Sequence, residues 1–289
     1  MASLRDIRRR IKSVKNTAQI TKAMQMVAAS KMRKAQEAAL HGRPYAVTLN
    51  RVLVTLRDTV DENIHPLLEK RDEIKHELVI LISTDKGLCG GLNTNLFREA
   101  AAYDREKTQF ISIGRKGTQF LARTKRKMIA DFALKDHPSF LEVKAISQFA
   151  IDKFLAHEVD KVTVLFPRFV NTLNQLPTAL PLLPITSLAE LGLAEEEGEK
   201  TSSGAGMNFE PNAHSVLDAI MPFYVHFELY QMILGSRASE HSARMVAMKN
   251  ATDNAKQIVK DLTLEYNKAR QAAITKEILE IATAQLALG

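Results

Sequence analysis

One stripe constrains this chain more than any other feature. From Leu217, stepping by three and then four, the positions are Leu217, Ile220, Tyr224, Phe227, Gln231, Leu234, Ala238, His241, Met245, Met248, Thr252, Ala255, Val259, Leu262, Tyr266, Ala269 and Ala273. Fourteen of these seventeen are apolar, and no proline follows Pro222. An apolar repeat of 3.5 residues held this long predicts a helix that supercoils against another helix. Phe223 to Leu288 is 66 residues, about 100 Å at 1.5 Å per residue. A helix that long is expected to project from any domain of this size, as a spacing or mechanical element.

The other end of the chain carries a matching seam. Leu4, Ile7, Ile11, Val14, Ala18, Thr21, Gln25, Ala28, Met32, Ala35 and Ala39 follow the same stepping, and nine of the eleven are apolar. The alanines allow close approach of a second helix. Antiparallel pairing of the two ends within one chain covers both seams at once; dimerisation through either helix is the alternative. Thr21 and Gln25 interrupt the seam, as polar residues that fix register do.

Charge is concentrated. Residues 1–60 hold 13 Lys/Arg against 3 Asp/Glu, a balance of +10, while the whole chain is +7, so the remainder sums to −3. The first helix is a cationic rod that suits an acidic partner: nucleic acid, a membrane surface or an acidic protein collar. No aromatic residues interleave with these charges, and no zinc, helix-turn-helix or RNP pattern is present. No apolar run approaches 18 residues, so no spanning helix is expected. MASLRDIRRR lacks a signal-peptide h-region, and its stripe continues into the rest of the helix, as in a mature structural element. The single Cys89 rules out an intramolecular disulfide and suits a reducing compartment.

The middle of the chain alternates short apolar runs with amphipathic segments. Strands are predicted at 78–82, 110–113, 127–133 and 162–166, with a further strand or hairpin from Arg168 to Pro177, and helices at 93–103, 116–124 and 141–157. Pro181, Pro184 and Glu195–Gly206 read as a flexible linker to a last strand or turn at Met207–Phe209. The expected fold is α/β plus a long coiled coil: an antiparallel coiled coil of the N- and C-terminal helices with a central Rossmann-like open α/β sheet domain. Its parts are a shaft helix at 1–62, an α/β domain at 75–210 and a long helix at 213–289.

Two glycine clusters invite an enzymatic reading. Thr84-Asp85-Lys86-Gly87-Leu88-Cys89-Gly90-Gly91-Leu92-Asn93 follows the first strand, where a phosphate loop would lie, but it has neither the P-loop nor the G-x-G-x-x-G spacing. Gly114-Arg115-Lys116-Gly117 is a strand-to-helix turn, where glycine usually supplies positive φ. Cys89 has no companion motif, Asp85 and Asp131 would meet only by tertiary accident, and the eight histidines show no metal-ligand spacing. No catalytic residue, cofactor or metal is expected. A basic coiled-coil adaptor for nucleic acid and an enzyme using the TDKGLCGG loop are the competing readings.

Four stretches carry a resemblance. Ile20–Ala35 (ITKAMQMVAASKMRKA) resembles the first helix of the gamma subunit of F-type ATP synthases. TDKGLCGGLN resembles that family's signature loop, SARMVAMKNATDNA (242–255) and YNKARQAAI (266–274) its long C-terminal helix, and ITKEILEI (274–281) its C-terminal signature. Ala284 and Gln285 depart from the Gly-Ala usual there. The resemblance implies a non-catalytic rotating shaft, one copy per complex. Its paired helices pass through a hexamer of alpha and beta subunits, and its α/β domain meets the epsilon subunit and the membrane c ring. A single cysteine implies a bacterial form, peripheral on the cytoplasmic face of the plasma membrane, with no nucleic acid partner. Met24, Lys31, Arg33 and Lys86 are implied near acidic levers of the beta subunits. Arg270, Gln271, Thr275 and Glu277 are implied to bond a beta loop, with Ile278, Ile281 and Leu286 in an apolar sleeve. Arg8, Arg9, Cys89, Phe209 and Glu210 complete the expected partner contacts.

Overall fold

The structure is a computed structural model. It describes residues 3–57, 65–69, 71, 73–185, 210 and 212–288, with the side chains of 43, 46, 47, 50, 51, 53–57, 213 and 284–288 excepted. Two helices dominate it, α1 (Leu4–Arg57) and α5 (Ala213–Leu288). Between them run β1 (Glu77–Ile82), α2 (Leu92–Ala102), β2 (Thr108–Ile113), α3 (Arg115–Arg123), β3 (Met128–Phe132), α4 (Phe140–Leu155), β4 (Lys161–Phe169) and β5 (Gln175–Leu183). The chain divides into two compact units, Met1–Ala29 with Arg244–Gly289, and Ser30–Ala243.

The first unit is a two-helix coiled coil whose strands come from opposite ends of one chain. Thr21 Oγ1 lies 2.7 Å from Thr252 Oγ1, and Arg8 Nη2 donates to Tyr266 Oη at 3.1 Å. Residue numbers fall on α1 as they rise on α5, so the pairing is antiparallel. Ile7, Ala28, Met248, Thr252, Ala255 and Leu262 are buried, all on the predicted seams. Seam positions stay covered as far as Ala269, and then every side chain from Arg270 to Thr283 is exposed. The register explains the change: Leu4, where α1 begins, falls level with residues 269 and 270, so the last 19 residues of α5 extend past the end of α1. That overhang is about 28 Å of helix. The predicted seam runs one step further, to Ala273, and then ends chemically at Lys276 and Glu280.

The second unit holds a five-stranded sheet in the order β3-β2-β1-β4-β5. The first four strands are parallel and β5 pairs antiparallel with β4. β1 lies between β2 and β4, and its five residues from Leu78 to Ile82 are all buried, as a strand covered on both faces requires. Val79, Leu81, Phe110 and Leu165 pack on one face against Leu96 and Ala100 of α2 and Phe120 and Leu121 of α3. Leu78, Ile80, Ile111 and Val164 face the larger core, with Val143, Ile146 and Phe154 of α4, and Leu217, Met221, Tyr224, Val225 and Leu229 of α5. α4 starts at a capping box, Ser139 with Glu142, a signal legible in the sequence.

α5 begins at Ala213 and runs through Pro222; the Asn212 side chain accepts from Ser215 N at 2.8 Å, and the proline removes one backbone donor without stopping the helix. Pro181 belongs to β5 and not to a linker: it pairs opposite Thr163, next to a register shift. β5 is an edge strand, where a missing N–H is tolerated. Strand and turn from Arg168 to Pro177 resolve as the hairpin joining β4 to β5. The linker Glu195–Gly206 and the strand Met207–Phe209 lie outside the described residues.

Candidate functional site

The loop after β1 is tied at both ends. Ser83 Oγ donates toward the carbonyls of Ile113 (3.2 Å) and Gly114 (3.0 Å) and accepts from Gly117 N at 2.7 Å. Thr84 Oγ1 donates to Lys86 O at 2.8 Å and accepts from Asn93 Nδ2 at 2.7 Å. Asp85 occupies the place a bound anion would take: its Oδ1 accepts from Arg115 N at 3.1 Å, at the first turn of α3. A helix N-terminus attracts negative charge, and here the chain supplies its own carboxylate. Asp85 thus pairs with α3 and α5, not with Asp131, which is exposed on β3.

The crevice beyond β1 and β4 is where open sheets of this kind bind ligands. In this chain α5 lies there. Ala243 packs on Cys89 and Leu92, Ser242 Oγ donates to Thr172 O at 2.8 Å in the β4–β5 turn, and Arg237 Nη2 stands 3.8 Å from Asp85 Oδ2. The loop therefore works as a clasp for a helix rather than as a cradle for a nucleotide. Arg237, with 5% of its side chain exposed, also pairs with Glu240 at 3.0 Å and donates to the carbonyls of Leu134 (3.0 Å) and Lys135 (3.4 Å). One residue on, Asp136 bonds Lys31 of α1. That bond holds the Asp136 carboxyl below the usual aspartate range, against a burial effect that opposes it, with Lys31, His241 and Arg237 adding attraction. Sequence reasoning missed this network because Arg237 and Glu240 lie off the seam; a close charge pair at i, i+3 on an otherwise apolar stretch was the available signal.

The residues expected to meet partners are spread over both units. Arg8 lies along Tyr266, its guanidinium carbon 5.6 Å from the ring centroid. Arg9 pairs with Asp6 at 3.2 Å and is largely exposed. Met24 is half-buried beside the seam; Arg33, Lys86 and Glu210 are exposed. Lys31 is taken up by Asp136, and Cys89 is buried, with Asn93 Nδ2 3.4 Å from its sulfur. Arg270, Gln271, Thr275, Glu277, Ile278 and Ile281 come together on the overhang, every one exposed. Thr275 Oγ1 donates to Gln271 O at 2.9 Å. Ile274, Ile278 and Ile281 form a stripe about a third of a turn from the seam at 100° per residue, so the overhang presents a new apolar face. The Leu286 side chain and Phe209 lie outside the described residues. Among the described residues no cluster of His, Cys, Asp or Glu could hold a metal ion.

The sequence profile described as ATP synthase matches residues 3–288. The chain is 52% identical over 293 residues to the ATP synthase gamma chain of Opitutus terrae, covering 99% of each. It is 50% identical to that of Methylacidiphilum infernorum, over the full length of both. The chain belongs to the ATP synthase gamma chain family. Solved structures agree with a gamma chain fold. The chain is similar to a subunit of the central stalk and c ring of the Tetrahymena thermophila mitochondrial ATP synthase, with TM-score 0.62 and 28% identity over 80% of this chain and 99% of that one. A chain of the Euglena gracilis mitochondrial enzyme, from an assembly of OSCP, F1 and c ring, gives TM-score 0.67 at 20% identity, over 99% and 94%. Membership of the gamma family agrees with the loop geometry, in which Thr84, Asp85 and Asn93 of TDKGLCGGLN bond within the fold.

Proposed function

We propose that the chain is the central rotating shaft of a bacterial F-type ATP synthase, joining proton flow through a membrane c ring to the conformational cycle of catalytic beta subunits. The observation that carries this reading is the overhang of α5: a single helix, exposed on all sides, continuing a coiled coil. Such an element is stable in a protein only if something else encloses it, and an alpha/beta hexamer supplies a collar. The chain takes no chemical step. An asymmetric shaft touches identical neighbours differently, and each neighbour has open and closed states separated by a few kcal/mol. Contact with one face biases that equilibrium, so rotation becomes a change in nucleotide affinity.

Roles follow from position. Arg8, Arg9, Met24 and Arg33 line the cationic helix and suit acidic levers on the beta subunits; contacts this exposed contribute under about 1 kcal/mol each. Arg270, Gln271, Thr275 and Glu277 are polar groups that a collar would enclose and must pair, since an unpaired one costs roughly 1–3 kcal/mol. Ile278, Ile281 and Leu286 suit a sleeve, because apolar contact is non-directional and does not pin one angle. The α/β unit meets the epsilon subunit and the c ring, with Phe209 and Glu210 among the partner contacts, while the exposed Lys86 suits an acidic lever of a beta subunit; one copy of the chain serves each complex. No described helix is long and apolar enough to cross a membrane; on the shaft reading the chain sits on the cytoplasmic face, held there by its partners.

The test is co-expression of the tagged chain with alpha, beta and epsilon subunits. The tag should bring down all three in a complex that hydrolyses ATP and turns the chain. Recovery of the chain alone, or a complex equally active without it, would sink the reading.

A further inference from the structure

Within the unit Ser30–Ala243, α5 meets the sheet mainly through apolar side chains, among them Leu217, Met221, Val225 and Leu229. Such packing sets a distance, but it is non-directional. Angle is set where charge-assisted hydrogen bonds and ion pairs converge, and on α5 Arg237 gathers such contacts. Arg237 reaches four groups from three places: Glu240 on its own helix, Asp85 in the β1–α2 loop, and the carbonyls of Leu134 and Lys135 before α4. Asp85 is itself held by Arg115 N at the start of α3. The adjacent Asp136 takes Lys31 of α1. Segment 134–136 thus grips both long helices, one through Arg237 and the other through Lys31.

We propose that Arg237 is a positioning residue for rotary coupling: it fixes the rotational setting of α5 on the α/β unit, so that torque entering the sheet turns the helix instead of slipping past it. This rests on the shaft reading above. A planar guanidinium bound on several sides resists rotation of the helix about its own axis, because any turn breaks several aligned bonds at once. Lysine can keep the charge at this position but not the fork.

The experiment uses the whole enzyme, with c ring, in proteoliposomes, carrying Arg237→Met, Arg237→Lys or Asp85→Asn. ATP hydrolysis and ATP-driven proton transport are measured together. Arg237→Met should keep hydrolysis within about twofold of wild type and lower protons moved per ATP hydrolysed at least threefold. Arg237→Lys should fall between. Asp85→Asn keeps an oxygen for Arg115 N while losing the ion pair, so it should also lower the ratio; it stands in if the methionine variant fails to fold. In the full chain, hydrogen exchange at α5 amides 237–243 should quicken at least tenfold in Arg237→Met, with 217–229 unchanged. A normal transport ratio in Arg237→Lys and Asp85→Asn overturns the proposal. So does a parallel fall of hydrolysis and transport with the ratio unchanged, the mark of a merely structural residue. Failure of the wild-type chain to assemble would instead strike the shaft reading.

Discussion

Glu228 lies on α5 with 2% of its surface exposed, and its Oε1 has no hydrogen-bond partner among the described residues. Burial alone pushes its carboxyl up from 4.5 to about 7. The nearby Tyr224 hydroxyl is also pushed up, by burial first and by Glu228 second. Because the folded value lies above the unfolded one, the folded chain keeps a proton that the unfolded chain has released between about pH 4.5 and pH 7. Stability therefore falls as pH rises through that window and stays low above it. The interval is worth about 3 kcal/mol. Glu228→Gln removes it: variant and wild type should differ little at pH 5, and the variant should be more stable at pH 8 by up to about 3 kcal/mol. Urea unfolding of the chain at both pH values measures this, and equal differences at the two would exclude the burial account. Nothing in the sequence marked Glu228, since a glutamate one step off an apolar seam reads as solvated until the sheet covers it.

At the scale of elements, two glycines separate what local sequence can show from what packing decides. Gly114 ends β2 with φ 99°, as expected of a strand-to-helix turn, and a Cβ there would stand 2.3 Å from Ser83 O. Gly235 lies inside α5, where a Cβ would meet nothing within 4 Å. Gly114→Ala should cost about 2–4 kcal/mol through strain and overlap. Gly235→Ala should gain about 0.5–1 kcal/mol from helix propensity. Thermal unfolding of the two variants should shift in opposite directions; a shared sign would show that one of these environments is misread. The elements themselves were legible because each has a period. β1 is a continuous apolar run, α4 is amphipathic, and the seams step by 3.5. Pro181 was misplaced because proline marks a break in sequence, and only a neighbouring β4 makes it an edge-strand residue.

At the scale of the whole molecule, α1 stops covering α5 at Ala269, and length there serves a partner rather than the fold. A chain ending at Ala269 should unfold within about 1 kcal/mol of the full chain, since the described side chains it loses are exposed. In the enzyme the same cut should greatly reduce torque, and a cut before Ala269 should also impair assembly. Ending after Ile281 removes eight residues and should weaken torque only in part. Rotation and ATP hydrolysis of the truncated complexes test this series. Complete loss from the eight-residue cut would mean that the tip is a specific anchor, and the apolar bearing would be wrong.

The sequence by itself determined the coiled coil, because a 3.5-residue repeat leaves a helix no stable state without a partner along that line. It also determined the open α/β sheet, from strands alternating with helices, and the family, from four ordered stretches. Tertiary structure alone decided what the loop after β1 does. Asp85 and Cys89 belong to a motif that could have served a nucleotide. They serve α3 and α5 because residues 115, 237 and 243, distant in sequence, are brought to the same end of the sheet. Periodicity reports which face of an element is covered. It carries no information about which charged group from elsewhere in the chain will meet that end, and that depends on how the sheet and the long helix are packed.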